Sequence, residues 1–149
     1  MEDLTSIKTR LARRGLHLDG QLQHDGANCA EHAYGAVQAF FRVHPCADLF
    51  RAQFQGKDSR GDVLLVAVSW VRMADEASAV AYRELVDTYG TGNVVELSRE
   101  SGRYRTVRYT ARHYSSGRSS TVVVNAQAEP VARGWVGLAL TTVVDEAIR

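Results

Sequence analysis

The sequence predicts a single α+β domain, in which an antiparallel β-sheet of about four to six strands has helices on both faces (an αβα sandwich). Its 149 residues, 45% apolar and 23% charged, have the size and composition of one globular domain. Two hairpin-like pairs of strands are joined by a helical segment, which favours an antiparallel sheet. Asp62–Met73 is apolar at both sets of alternating positions, which is typical of a central strand covered on both sides.

The first 27 residues predict a helix and an extended segment. Apolar residues recur at helical spacing over Leu4–Ala12, and Gly15 stands where such a helix would end. The alternating leucines of 16–22 predict a short strand or weak hairpin, and His24–Ala27 predicts a loop. We therefore assign residues 1–27 to this helix and extended segment and 28–149 to the α+β domain, within one compact unit.

The middle of the chain predicts a helix, a hairpin and another helix. A helix is predicted between Asn28 and His44, because Asn28 begins a capping-box pattern and a proline follows His44. Phe50–Gln55 alternates apolar and polar residues, which predicts a half-buried strand connected by a turn to Asp62–Met73. Asp75–Thr88 then has the period of a helix.

The last third predicts a short strand, a second hairpin and a final helix. Apolar residues at 94, 95 and 97 predict the short strand, and Tyr104–Tyr114 predicts a long one. Ser115–Ser119 is interpreted as a hairpin loop that leads into a returning strand over Ser120–Ala128. The final helix is predicted from about Gly134 to Ile148, where apolar residues have a 3.6-residue period.

The charge balance limits the classes of partner. There are 18 basic and 17 acidic residues, a net charge of +1. Proteins that bind nucleic acid usually have a strong basic excess, so we do not expect a nucleic-acid partner. No apolar run approaches the ~18 residues of a membrane span, so none is predicted. The chain as given has no signal-peptide pattern, and the residues alone therefore favour a cytoplasmic location.

One surface of the predicted sheet has a composition typical of a binding site. Tyrosine and arginine are enriched in binding hot spots, and they interleave along the outer face of the predicted strand Tyr104–Tyr114. This face predicts contact with a protein or a small anionic ligand. The alternative is an exposed strand face on which arginine stems simply pack. The candidate binding residues are Tyr104, Arg105, Arg108, Arg112, Tyr114 and Arg118.

Two cysteines and two histidines have the side chains of a zinc site but not its spacing. The predicted helix would separate Cys29 and His32 from His44 and Cys46 by about 17 Å, so no metal site is predicted. The same length opposes a Cys29–Cys46 disulfide, unless the helix starts late, near Tyr34, and its flanks fold back along it. Two free, mostly buried thiols are the other alternative.

No motif indicates catalysis or a cofactor. Gly90–Asn93 follows a predicted helix and opens a strand, whereas phosphate loops follow a strand and open a helix, so a turn is predicted. We therefore predict a non-catalytic binding or interaction domain. One alternative is a small enzyme or ligand carrier that uses His44, Cys46 or His113 in a pocket between sheet and helices. Another is a structural component of a larger assembly.

Several short motifs are spaced from about residue 28 to the end: Cys29, His32–Gly35, His44–Cys46, Trp70–Met73, Gly90–Val94 and Tyr114–Ser115. Together they resemble a group of small proteins of GC-rich Gram-positive bacteria to which no function is attached. In that group the domain often follows a membrane anchor. The resemblance thus implies an extracytoplasmic location and a Cys29–Cys46 disulfide, although the first 27 residues contain no anchor. The architecture also resembles PsbP/Mog1-type domains and some bacterial sensor domains, an analogy of fold that does not imply function.

Overall fold

The computed structural model describes residues 4–100, 104–131 and 135–149. Within these residues lie four α-helices and a five-stranded sheet, which confirm the predicted α+β class. The strands follow the order β1-β2-β3-β5-β4, and every neighbouring pair is antiparallel. The helices are α1 (Leu4–Ala12), α2 (Gly35–Val43), α3 (Glu76–Val86) and α4 (Leu140–Ala147), and the strands are β1 (His17–Gly26), β2 (Cys46–Lys57), β3 (Val63–Met73), β4 (Tyr114–Ser119) and β5 (Val122–Pro130).

Strand β3 lies at the centre of the sheet and is covered on both faces, as its two-sided apolar pattern predicts. Leu64, Val66 and Val68 belong to the core that includes buried residues of α1 and α4. Val71 and Met73 belong to a second core, with buried residues of α2 and α3. Burial of these aliphatic side chains stabilises the sandwich by roughly 25 cal/mol per Å² of apolar surface removed from water.

Helix α1 ends as predicted, but β1 is longer than predicted. Gly15 has a φ of +84°, and the Leu16 amide bonds to the Leu11 carbonyl at 3.0 Å to close the helix. β1 includes His24–Gly26, predicted as loop, because it pairs along β2 as far as Gly26 opposite Leu49. Polar residues can occupy this strand because it is an edge of the sheet, where one side of the ladder faces solvent.

The helix predicted from Asn28 is wrong at its start. Residues Ala30–His32 form one 3₁₀ turn, the backbone is extended at Ala33 and Tyr34, and α2 begins only at Gly35. A bridge between Ala33 and Val94 holds the chain extended. Since α2 starts late, the cysteines meet: a Cys29–Cys46 disulfide joins Cα atoms 6.1 Å apart. The sequence analysis allowed this disulfide only if the helix started late, near Tyr34, and the structure meets that condition.

The strands predicted at 94–97 and at Tyr104–Tyr114 are also wrong. Val94 forms an isolated bridge, and Leu97–Arg99 is a 3₁₀ turn. Residues 104–113 are irregular, and Tyr109 packs across the sheet against Leu65 and Ala67.

The second hairpin is shifted along the chain relative to its predicted position. Ser115–Ser119 belongs to β4 rather than to a loop, and the hairpin turns at Ser120, which has a φ of +53°. β5 continues as far as Pro130, which pairs with Leu64.

The final helix, α4, begins at Leu140, and the predicted start at Gly134 lies outside the described residues. None of the helices within the described ranges is long and apolar enough to cross a bilayer.

Candidate functional site

The six arginine and tyrosine candidates do not lie together on one strand face, because residues 104–113 are irregular. The Tyr104 hydroxyl donates to Oε1 of Gln55 at 2.6 Å, toward the first hairpin. The exposed Arg105 donates from Nη2 to the carbonyl of Glu100 at 3.2 Å. These two residues therefore lie at the β2 side of the domain.

The other four candidates point to different neighbours. The half-buried Tyr114 donates from its hydroxyl to Oδ1 of Asp87 at 2.8 Å, beyond the end of α3. Arg118 pairs with Oε1 of Glu76 at 3.0 Å, near the start of the same helix. The remaining two, Arg108 and Arg112, are exposed. Of the six, only Tyr114 lines the pocket at the end of α3, whereas Arg118 lines a separate cavity of about 430 Å³ beside the end of α4.

A pocket of about 300 Å³ opens between the end of α3, the loop that follows it and the irregular segment before β4. This volume lies at the lower end of the range of small-molecule sites. Four tyrosines, one carboxylate and two amides form much of its wall: Tyr34, Tyr89, Tyr109, Tyr114, Asp87, Asn93 and Gln127. One alternative in the sequence analysis was a pocket between sheet and helices, but with other residues.

The histidine and cysteine residues predicted for a pocket do not line this one. His44 is exposed, with its ring 4.8 Å from that of Phe40. Cys46 is held in the disulfide, and His113 is half-buried. Within the described part of the chain, no three His, Cys, Asp or Glu side chains are grouped so that they could hold a metal ion.

Backbone hydrogen bonds fix the loop that forms one wall. The amide of Tyr34 donates to the carbonyl of Asn93 at 3.1 Å, and that of Val37 donates to the carbonyl of Thr91 at 3.0 Å. The hydroxyl of Thr91 donates to the carbonyl of Leu85 at 2.6 Å. The start of α2 and the end of α3 are thus both bonded to residues 91–93, so this wall is preorganised.

The opposite wall is the segment that carries Tyr109. The Tyr109 hydroxyl donates to Oε1 of Gln53 at 3.3 Å, and the amide of Thr110 donates to Oε1 of Glu129 at 2.8 Å. The next residue, Ala111, has a φ of +62°. A left-handed conformation costs a non-glycine residue about 1–2 kcal/mol. Such strain clusters at binding sites, where the surrounding structure maintains it.

The tyrosines near the pocket floor are neutral at physiological pH. Burial raises the pKa of Tyr109, and the carboxylates of Glu96 and Glu129 raise it further. Burial also raises the pKa of Tyr114, as do its hydrogen bond to Asp87 and the charge of that carboxylate. Both hydroxyls therefore remain protonated and can donate hydrogen bonds.

A layer of buried polar side chains lies beneath the pocket. The Ser69 hydroxyl donates to Oδ1 of Asn125 at 2.9 Å, and Nδ2 of Asn125 donates to Oδ1 of Asn93 at 3.2 Å. Next to them, Nε2 of Gln127 donates to Oε1 of Glu96 at 3.0 Å. The sequence analysis did not single out these residues, because polar positions that alternate with apolar ones in a strand usually face solvent. Their alternation with apolar residues is equally typical of a face covered by an irregular segment.

A second polar cluster surrounds the guanidinium of Arg51, which is 2% exposed. Its Nη2 donates to Oε1 of Glu100 at 2.8 Å and its Nη1 to the carbonyl of Val95 at 2.9 Å. The rings of His24 and His32 flank it, with nitrogen atoms 3.3 and 3.2 Å from Arg51 nitrogens. The cluster is already centred on a cation, so we assign it a structural role.

This cluster predicts a loss of stability in acid. Burial opposes ionisation of Glu100, but hydrogen bonds and charge from Arg51 and His32 prevail and lower its pKa from 4.5 to about 2. Because the folded-state pKa is the lower one, the stabilisation is present above pH 4.5 and is lost as the pH falls towards 2. Burial, then the charge of Arg51, lowers the pKa of His24 below 6.5, which penalises the folded state further as the pH falls through that value.

Urea unfolding at several pH values tests this expectation. The Glu100→Gln variant should be less stable than the wild type at pH 7, and its stability should change less between pH 5 and pH 2. The exposed Glu31 provides the control, since Glu31→Gln should retain the wild-type pH profile. Parallel profiles for the wild type and Glu100→Gln would show that the Arg51 cluster does not set the acid stability.

The fold and this pocket define a class of protein, an αβα sandwich with a tyrosine-lined pocket on one face of an antiparallel sheet. Comparison with protein-family models, with curated proteins and with solved structures gave no match to the chain. The resemblance to proteins of GC-rich Gram-positive bacteria therefore stays a prediction, and the functional argument rests on the pocket alone.

Proposed function

We propose that this protein is a non-catalytic binding domain that takes a small polar ligand in the tyrosine pocket. The observation that carries the proposal is the pocket itself, about 300 Å³ in volume, with aromatic walls and a few convergent polar groups. Such a combination is the usual form of a small-molecule site. It favours the ligand-carrier alternative over a flat arginine surface, because the arginine candidates are dispersed.

The side chains of the pocket support binding more directly than catalysis. The phenols of Tyr109 and Tyr114 are protonated near neutral pH and already bonded to Gln53 and Asp87. Nucleophilic catalysis needs an activated nucleophile beside a base. The lining residues that the structure describes include no cysteine, serine, lysine or histidine. The residues that do line the pocket can orient a ligand by hydrogen bonds and ring contacts.

The proposal is tested by filling the mouth of the pocket. Thr88 lines it and is exposed, so Thr88→Trp places an indole there and removes one exposed hydrogen bond, from the Thr88 hydroxyl to the Glu84 carbonyl. The probe is a fragment library of amines, carboxylates, amides and sugars, followed by ¹H–¹⁵N NMR. We expect at least one fragment to shift the amide signals of Gly90, Gly92 and Asn93. Thr88→Trp should lower its affinity by about tenfold or more, which corresponds to about 1.4 kcal/mol.

The matched control is Ala81→Trp, which adds the same side chain to an exposed position of α3 that does not line the pocket. It should bind the fragment like the wild type. If fragments bind the wild type and Thr88→Trp equally, or shift only amides elsewhere, the pocket is not the binding site.

A further inference from the structure

We infer that the ligand of this pocket is an organic cation, an amine or quaternary ammonium group held between tyrosine rings and the carboxylate of Asp87. The inference rests on the proposed binding function and adds the chemical class of the ligand. It follows from three features: the charge of the lining, the charges around it and the use that Tyr34 already makes of its ring.

The first feature is the charge of the lining. Among the lining residues that the structure describes, Asp87 alone has a formal charge. The other polar groups are phenols and amides, which are neutral. An anionic ligand would therefore meet a carboxylate and no guanidinium or ammonium in the wall. The charge of the wall thus disfavours the small anionic partner predicted from the arginine-rich sequence.

The second feature is the sign of the charges behind the wall. The charged groups that act on Tyr109 are the carboxylates of Glu96 and Glu129, and the one that acts on Tyr114 is Asp87. Glu96 is 5% exposed, so water screens its field poorly. A positive charge that enters between these two rings would be attracted by all three carboxylates.

The third feature is the aromatic wall. The face of a tyrosine ring is the negative end of its quadrupole, and a cation within about 6 Å of the centroid gains about 0.5–2 kcal/mol. Tyr34 already uses its ring in this way, since the guanidinium carbon of Arg99 lies 5.4 Å from the centroid. Tyr89, 85% exposed, stands at the mouth with its ring free to cover a ligand.

Two arginines near the pocket lower its expected affinity for a cation, but they do not reverse its preference for a cation over an anion. Nε of Arg83 lies 3.6 Å from Oδ2 of Asp87, an exposed pair that compensates part of the carboxylate charge. Arg83 is also held by Ser116, to which its Nε donates at 3.1 Å. Arg99 pairs with Glu96, with Nε 3.1 Å from Oε2. Each arginine already has a carboxylate partner, so the site remains selective for cations.

The experiment compares choline with dimethylbutanol, the neutral compound in which carbon replaces the nitrogen of choline. Their shapes are nearly the same, so a difference in affinity reports the charge. We expect choline to shift the amides of Gly90, Gly92 and Asn93 and to bind at least about tenfold more tightly than dimethylbutanol, as summed ring and carboxylate contacts allow. Glucose, a neutral polar molecule, completes the panel.

Two pocket variants and one control variant locate the cation. Asp87→Asn keeps an acceptor for Tyr114 and should weaken choline several-fold without changing the affinity for dimethylbutanol. Asp145→Asn removes an exposed carboxylate on α4, on the other side of the sheet, and should leave both affinities unchanged. Tyr89→Leu should likewise weaken choline more than its neutral analogue, because only the cation uses the face of the ring.

The outcomes separate this inference from the proposed function. If dimethylbutanol or glucose shifts the pocket amides as strongly as choline, the cation inference is wrong and the binding function stands. The same conclusion follows if none of these three binds, and only neutral or anionic fragments of the library bind the wild type and lose affinity in Thr88→Trp. If nothing in the fragment library binds at the pocket, both are wrong.

Discussion

Replacing Gly92 by alanine should destabilise the protein by about 2–5 kcal/mol, because a side chain at this position meets backbone. A Cβ atom built on Gly92 would clash with the carbonyl oxygen of Tyr34, and the residue has a φ of +96°. Left-handed backbone costs alanine about 1–2 kcal/mol, and forcing an extra methyl group into a packed site costs about 1–3 kcal/mol more. Relief of the clash must move the start of α2 away from residues 91–93.

Gly90→Ala provides a matched control two positions away. Gly90 has a φ of +89°, but a Cβ atom there has no neighbour within 4 Å. This variant should therefore lose only the stability that a left-handed backbone costs an alanine, about 1 kcal/mol. Guanidinium unfolding followed by circular dichroism measures both variants. Equal losses of stability in the two variants would show that the backbone of Tyr34 does not exclude a side chain at Gly92. The wall of the pocket would then not be closely packed at this point.

The same contact connects stability with binding. Because Tyr34 and Gly92 both line the pocket, a shift of this contact should change the shape of the site. Gly90 lines the pocket too, so the control for binding is Gly15, which has a φ of +84°, no neighbour within 4 Å of an added Cβ atom and no place in the pocket wall. Gly92→Ala should therefore lose ligand affinity at temperatures where it is still folded, and Gly15→Ala should not.

Elements whose signals are local were predictable from the sequence. Both faces of β3 are apolar, and this pattern predicted that the strand lies at the centre of the sheet. The side chain of Asp75 accepts a hydrogen bond from the amide of Ser78 at 2.7 Å, a local cap that begins α3. Gly15 ended α1 for an equally local reason, its left-handed backbone. In each case a few neighbouring residues determine the conformation.

Elements held by distant partners were not predictable in this way. The helical pattern around Cys29 is interrupted because Ala33 pairs with Val94, some sixty positions away in the sequence. Tyr109 sits in an alternating, strand-like segment, yet its ring is buried against Leu65 and Ala67 of β3. A local pattern shows that a residue has an apolar side, but not which surface will cover it.

The candidate site likewise contains residues that the sequence could predict and residues that it could not. Tyr114 could be proposed from composition, since tyrosine is enriched in binding sites. Tyr34 and Asp87 could not, because the bridge at Ala33 and the docking of α2 on residues 91–93 bring them together with Tyr109. Polar residues in strands, such as Gln53 and Gln127, are the signal that the sequence did contain. Neither was among the predicted site residues, and each is buried.

The Cys29–Cys46 disulfide should contribute about 3 kcal/mol to stability, as expected for a closed loop of this length. The bridge joins residues separated by 17 positions and spans the 3₁₀ turn and the whole of α2. It removes conformations from the unfolded chain, and it holds the segment that carries Tyr34 against the start of β2. Its loss should therefore lower stability and also loosen one wall of the pocket.

Two measurements test this bridge. Alkylation of the denatured, unreduced protein should add no alkyl group, and the intact mass should be two hydrogens below that of the reduced chain. The double variant Cys29→Ala/Cys46→Ala should then unfold at lower urea concentration than the oxidised wild type, and like the wild type with its bridge reduced. Two alkyl groups on the unreduced protein, or a double variant as stable as the wild type, would contradict the prediction.

The oxidation state also bears on where the protein works. Disulfides persist in oxidising compartments and are rare where glutathione and thioredoxin keep thiols reduced. Cys29 and Cys46 are 2% and 9% exposed, so once formed the bridge is shielded from reductants until the chain opens. If the bridge contributes about 3 kcal/mol, the protein made in a reducing compartment should be less stable and should bind the pocket ligand more weakly. The affinity for the pocket ligand, measured before and after reduction under folded conditions, would separate the effect on stability from the effect on binding. An unchanged affinity would mean that the disulfide contributes to stability alone, and a weaker affinity would mean that it also holds the pocket in shape.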